Sequence, residues 1–261
     1  MSTKAKIVRI KSSDQQVSLS SNNGDFTVQL KDQSSMQQVR GISVVEAWIP
    51  NVFYNVRSSQ GRVNNSIRFQ EIGQSVVTMT ILEGQYTVSQ YMSAFKTAFE
   101  AASVAQTITV TQDAITQKIL LETSAVCTFY SETDDPLSTG AYVLGLGTTA
   151  ASGGPSLPAA LSSIPNLRGY TQLYLHSKAI ADGFLIDGNS GAISTAIGVS
   201  LADTPFGGMG YKQVATESEA RIDYPRARNI SNLRLVLRDA EGYKLDPGTS
   251  EITISFKTYL A

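Results

Sequence analysis

The chain has 261 residues, enough for one large all-β domain or two small ones. Apolar residues make up 42%, which suffices for a sizeable core, while charged residues make up only 16%, against about 25% in an ordinary soluble domain. A net charge of −1 excludes a global basic field for nucleic acid, a single cysteine excludes an intramolecular disulfide, and no apolar run approaches the roughly 20 residues of a membrane-spanning helix.

The first segment is locally basic, with Lys4, Lys6, Arg9 and Lys11. It reads first as a solvated basic strand, and second as an arm reaching a neighbour or packaged nucleic acid. Residues 1–24 are accordingly assigned as an N-terminal arm or first strand, too polar for a signal peptide. The turn Asn22-Asn23-Gly24-Asp25 then opens an alternating strand in which Phe26, Val28 and Leu30 share one face. Residues 42–56 form another alternating strand, which stops at Ile49-Pro50 and runs into the aromatic turn Phe53-Tyr54. Trp48, Phe53 and Tyr54 are expected in the core or packing a corner, because large aromatic side chains usually bury.

Ile67 and Phe69, then Val77, Met79 and Ile81, continue the two-residue period. After Glu83-Gly84, Thr87 is a good N-cap. Gln90 three residues on completes a capping box, and Tyr86 and Tyr91 are placed for a hydrophobic staple. Val88, Tyr91, Met92, Phe95, Phe99 and Ala102 recur at helical spacing, so a helix is placed at about 88–103, within a helix-containing insertion at about 83–105. Strand alternation resumes at Ile108 and Val110. Cys127 lies in Ala125-Val126-Cys127-Thr128-Phe129, where it reads as a small hydrophobe in a strand interior; a lone thiol favours a reducing compartment.

The stretch from about 133 to 168 holds Gly153-Gly154-Pro155, Pro158 and Pro165 and reads as a long loop, with a short helix within Leu137–Leu146. A second Gly-rich stretch is Pro205-Phe206-Gly207-Gly208-Met209-Gly210. Near the end, Leu233, Leu235 and Leu237 alternate with Arg234 and Arg238, and Ile252, Ile254 and Phe256 alternate with Thr253, Ser255 and Lys257. Some ten to thirteen short strands, one clear helix and no internal repeat specify an all-β fold, a β-sandwich of jelly-roll type.

Catalytic chemistry has little to build on. The single histidine, His176, sits on the face of a strand opposite Leu173 and Leu175, and no Gly-x-Ser-x-Gly elbow occurs. Gly145-Leu146-Gly147-Thr148-Thr149-Ala150 fits a dinucleotide fingerprint only superficially, since Gly153-Gly154-Pro155 breaks the helix that must follow and no acid stands near 165–170. Glu132, Asp134 and Asp135 read as a solvated loop ahead of Pro136 in preference to a weak Ca²⁺ site. Glu46 is the only acid interrupting an apolar strand, and no second carboxylate is apparent for it. No catalytic residue, cofactor or metal ligand is therefore assigned.

Several segments, in order, resemble the penton or minor capsid jelly-roll proteins of double-stranded DNA viruses of the virophage and polinton-like type. They are Asp25-Phe26-Thr27-Val28-Gln29-Leu30, Ala47-Trp48-Ile49-Pro50-Asn51-Val52-Phe53-Tyr54-Asn55-Val56, Ile67-Arg68-Phe69, and Glu83-Gly84-Gln85-Tyr86-Thr87-Val88. Val143-Leu144-Gly145-Leu146-Gly147 follows, with Leu146 where that family usually has Phe, and then Leu173-Tyr174-Leu175-His176-Ser177 and the closing segment from Leu233 to Asp246. The matches span most of 25–260; loop 149–168 and region 178–212 match less well.

The resemblance implies a structural protein of an icosahedral capsid, not an enzyme, located in the virion after synthesis in the host cytoplasm or nucleus. It implies a jelly-roll capsid domain over 25–261, a homopentamer at the five-fold vertex, and contacts with the major capsid protein and other minor capsid proteins. A cementing position is the variant of that role. Residues 1–24, 149–168 and 200–212 are the expected contact segments. The alternative is a virion spike-base or lectin-like ligand-binding module, using acids and aromatics on loops such as Asp134-Asp135 or Asp203 with Pro205-Phe206.

Overall fold

The computed structural model describes residues 5–15, 22–30, 36–59, 61–104, 106–155, 157–177, 180, 195–213 and 221–261. Lys4, residues 16–21 of the proposed arm, Ser156 and most of 178–194 lie outside the described residues. In chain order the elements are β1 (Ala5–Lys11), β2 (Asp25–Gln29), β3 (Val39–Pro50), β4 (Ser66–Glu71), β5 (Val77–Thr80), α1 (Val88–Ala102), β6 (Ile108–Gln112), β7 (Ile119–Thr123) and β8 (Cys127–Phe129). There follow α2 (Ala141–Leu144), β9 (Ala151–Gly153), β10 (Ala159–Ala160), β11 (Gln172–Ser177), β12 (Thr195–Ser200), β13 (Met209–Gln213), β14 (Arg221–Arg228), β15 (Asn232–Asp239) and β16 (Thr253–Leu260). The chain forms two compact units, one from Met1–Phe53 with Tyr170–Ala261, the other from Tyr54–Gly169.

The first unit is a β-sandwich. One sheet runs β1-β16-β3-β13, with β14 also on β3, and the other runs β12-β11-β15-β2. β13 pairs with residues 46–50 of β3 and β14 with residues 39–43, so these two occupy one strand place. Numbering the strand places along the chain, the first pairs with the last, β1 with β16, and the second with the seventh, β2 with β15. The third, β3, pairs with the split sixth, and the fourth, β11, with the fifth, β12. Every one of these pairings is antiparallel. The chain is thus one long hairpin rolled so that successive pairs alternate between sheets, which is the winding of a jelly roll.

A single apolar layer joins the sheets. Ile42, Val44, Ala47, Ile49, Ile254 and Phe256 from one sheet pack with Phe26, Val28, Leu173, Leu175 and the Leu233, Leu235, Leu237 series from the other. The alternations read from the sequence supply these inward faces.

β3 departs from strict alternation, and the departure moves Trp48. Glu46 pairs with Ser255 but Val44 pairs with Phe256, so Val45 is an extra residue, a β-bulge. Ile42 and Val44 face the core before the bulge; Ala47 and Ile49 do so after it. Uninterrupted alternation would have put Glu46 and Trp48 inside. Trp48, expected in the core or packing a corner, is instead half-buried on the outer face of the sheet. Phe53 is buried as expected, whereas Tyr54 is 40% exposed.

The second unit has its own core. A sheet of β5-β4-β8-β9 and one of β10-β7-β6 enclose α1 with a separate cluster of buried residues. Tyr91, Phe95 and Phe99 form the buried stripe of α1. Phe99 lies 4.8 Å from Phe69 and 5.7 Å from Phe129, ring centre to ring centre. The helix starts as the sequence dictates: the Thr87 hydroxyl accepts from the Gln90 N–H, the Gln90 side chain accepts from the Thr87 N–H, and the Tyr86 and Tyr91 rings meet edge to face at 6.2 Å. The stretch expected as a long loop carries α2 and two short strands, β9 pairing with β8 and β10 with β7. Gly145 closes α2 at φ 102°, where a Cβ would stand 2.4 Å from the Ser163 carbonyl oxygen. The Gly-x-Gly there serves a helix end and a close backbone approach, with no long helix after it.

Candidate assembly surfaces

In the first unit the outer face of the β1-β16-β3-β13 sheet follows from register, because directly paired residues share a face. Lys11, Thr253, Trp48 and Tyr211 form one row across the sheet, and Arg9, Ser255 and Glu46 the next. The Trp48 and Tyr211 rings are 4.1 Å apart and inclined by 35°. Arg9 Nη2 lies 2.5 Å from Glu46 Oε1, which also accepts from the Ser255 hydroxyl at 2.8 Å. These donors, the Arg9 guanidinium first, hold the Glu46 carboxyl below its ordinary range. Glu46 is therefore an anion committed to an ion pair on a sheet face. Lys11 pairs with Glu251 at 2.9 Å. Arg9 and Lys11 are thus spent on partners inside the chain. Ile7, 68% exposed, stands on the same strand face as Arg9.

The Ile-Pro-Asn and Phe-Tyr-Asn halves of residues 49–55 each carry an asparagine clamp, one per unit. In the first unit the Asn51 side-chain amide donates to the Thr204 carbonyl at 2.7 Å, its backbone N–H donates to Gly208, and its carbonyl accepts from Gly207. This fixes most of the loop at 200–212, leaving Phe206 44% exposed upon it. In the second unit buried Asn55 donates to the Tyr86 carbonyl at 2.8 Å and the Leu167 carbonyl at 2.9 Å, and accepts from the Tyr86 N–H at 2.9 Å. Val56 and Gly84 exchange two backbone bonds beside it. The segments resembling "FYN" and "EGxYT" are thereby tied together, along with the end of the 149–168 stretch.

The outer face of the other sheet holds a group that sequence reasoning missed. Asp25 accepts two bonds of 2.7 Å from the Arg234 guanidinium and one of 2.7 Å from Lys244. Its side chain is 3% exposed, while those of Arg234 and Lys244 are more than half exposed. The Arg234 hydrogen bonds lower the Asp25 pKa; burial opposes them and Lys244 adds to them. The only sequence signal was an acid at the end of a turn, which reads equally as a turn residue.

Tyr174 and His176 lie on the outward side of β11, with Leu173 and Leu175 inward, and their rings are 6.5 Å apart. Cys127 is fully buried; burial, with the nearby Glu71 charge, pushes its thiol up to about 12. Glu132 pairs with Arg62, and Asp135 with Arg68 at 2.9 Å. The Leu137 N–H and then the Arg68 side chain lower the Asp135 pKa. Asp134 accepts from the Ser131 hydroxyl at 2.6 Å. The three acids are thus spread over separate local partners. Among the described residues no three of His, Cys, Asp or Glu come together as a metal would need.

Among solved structures the chain is similar to the penton protein of mavirus, with a TM-score of 0.50 and 9% sequence identity over 98% of this chain and 99% of that one. No family model and no curated protein matches the sequence. The likeness is one of fold, an all-β sandwich matched from end to end.

Proposed function

We propose that this chain is a structural protein of an icosahedral viral capsid, forming the five-fold vertex as a ring of five copies. The observation that carries the reading is the jelly-roll winding, matched over 98% of the chain to a penton protein. The reading needs no active site. The acids and the histidine described above serve ion pairs, turns and sheet faces, and the work is done by surfaces. A ring of identical copies uses heterologous contacts, one side of each copy meeting the opposite side of the next.

In this reading β1 with its basic side chains, the Asn51-clamped loop and the 149–168 stretch meet neighbouring copies, the major capsid protein or other minor capsid proteins. The low charged fraction suits a surface that is largely covered on assembly. The product resides in the virion after synthesis in the host cytoplasm or nucleus. Size-exclusion chromatography with light scattering tests it: the expected mass is five times the 28.0 kDa chain. A stable trimer would replace the vertex by a cementing or spike-base position. A monomer that also fails to join capsids assembled from the major capsid protein would overturn the reading.

A further inference from the structure

The first unit contains an open groove of about 560 Å³ where the end of β12 meets β13, lined by Gln172, Tyr174, Gly198, Ser200, Tyr211 and Lys212 among others. Its volume falls within the roughly 300–1,000 Å³ of small-ligand sites. Two glycines shape it. A Cβ on Gly198 would stand 3.2 Å from the Tyr174 ring, so the ring lies directly over the β12 backbone. A Cβ on Gly210 would stand 2.2 Å from Leu201 Cδ2, so a larger residue there would require the Leu201 side chain to turn away.

The polar groups are arranged as donors. The Tyr174 hydroxyl donates to Gln172 Oε1 at 2.7 Å, which leaves the Gln172 amide nitrogen to donate outward. The Ser200 hydroxyl accepts from the Ala202 N–H at 3.4 Å and keeps its own proton to give. Lys212 also lines the groove, and among the described residues no acidic residue does. Tyr174 and Tyr211 also line the groove, the Tyr211 ring resting on Trp48.

We propose that this groove binds an acidic saccharide, with a sugar ring against Tyr174 and a carboxylate at Lys212. Sugar rings present a C–H face that packs on aromatic rings, and their hydroxyls and carboxylate accept what Gln172 and Ser200 donate. Lys212 offers one compact positive charge, which a single carboxylate neutralises. The inference rests on the groove alone and stands or falls apart from the oligomeric state.

The test is saturation-transfer NMR on the full chain with 3′-sialyllactose, and with lactose as the uncharged probe. Transfer to the sialylated sugar and not to lactose is expected. Tyr174→Ala should weaken it about tenfold, the loss of one aromatic contact. Because that ring also covers Gly198, the exposed changes Gln172→Glu and Lys212→Glu serve as the second pair; each should abolish transfer while melting at the parent temperature. No transfer at millimolar sugar, equal transfer to lactose, or charge variants that bind like the parent would each overturn the proposal.

Discussion

Asp25 is a carboxylate held out of water by two cations that themselves reach solvent. Its folded-state pKa is lowered from 3.8, chiefly by Arg234, so the folded state holds the anion more firmly than the unfolded chain does. The resulting stability is complete above the unfolded pKa and is lost as pH falls through the folded value, a window lying below about pH 4. Asp25→Asn should therefore cost about 1–3 kcal/mol at pH 7, the worth of hydrogen bonds to a buried charged group. The gap to the parent should narrow at pH 3. Urea unfolding at both pH values decides it; a gap of constant size would refute the ion-pair account. Trp48 makes the opposite point. Half-buried beside Tyr211 on an outer face, it should cost only about 1 kcal/mol when truncated to Ala, as for a partly exposed site. Phe256→Ala, in the core, should cost about 3–5 kcal/mol. Comparing the two urea midpoints tests the assignment. The sequence alternation alone does not separate these residues, since it would place both inside; the bulge at Val45 decides which way Trp48 faces, and a bulge is fixed by the partner strand.

Elements were legible where their causes are local. The Thr87–Gln90 box, the Tyr86–Tyr91 staple and the stripe of Tyr91, Phe95 and Phe99 all lie within the one stretch from Tyr86 to Phe99, and the helix begins at Val88 as they require. Thr87→Ala should cost about 1 kcal/mol through the lost cap, read as a lower urea midpoint, while Thr97→Ala, on the exposed side of the helix, should leave it unchanged. Equal effects from both changes would mean that the cap contributes nothing beyond helix propensity. Strand faces were legible for the same reason, period two over a few residues. Which strand pairs with which was not: β1 pairs with β16 across almost the whole chain, and β9 and β10 are two- or three-residue strands that exist only because β8 and β7 offer free edges. Asp25 belongs to the same class, since its two cations come from β15 and the segment after it.

The whole molecule consists of two cores in one chain, and the second interrupts the first in sequence between β3 and β11. A segment inserted in this way can fold independently only if its ends meet and its core is closed. Both conditions hold within Tyr54–Gly169. Asn55 bonds the Leu167 carbonyl, so the two ends of the unit are pinned together by one side chain. The buried cluster around Phe69, Phe95, Phe99 and Phe129 draws only on residues of this unit. Alternation and helical spacing describe each element of it without revealing that the elements form a separate body, because that depends on which buried residues touch. Residues 54–169 expressed alone should therefore unfold cooperatively in urea, with native-like chemical-shift dispersion. In that fragment Asn55→Ala should lower stability by about 2–3 kcal/mol, since it breaks three hydrogen bonds at a buried site, two of them to carbonyls at the far ends of the loops it joins. A fragment with helix content but broad, undispersed spectra would show that the second core is completed only by the first unit. A fragment that folds but is indifferent to Asn55 would show that its ends are held together by the apolar cluster without help from the clamp.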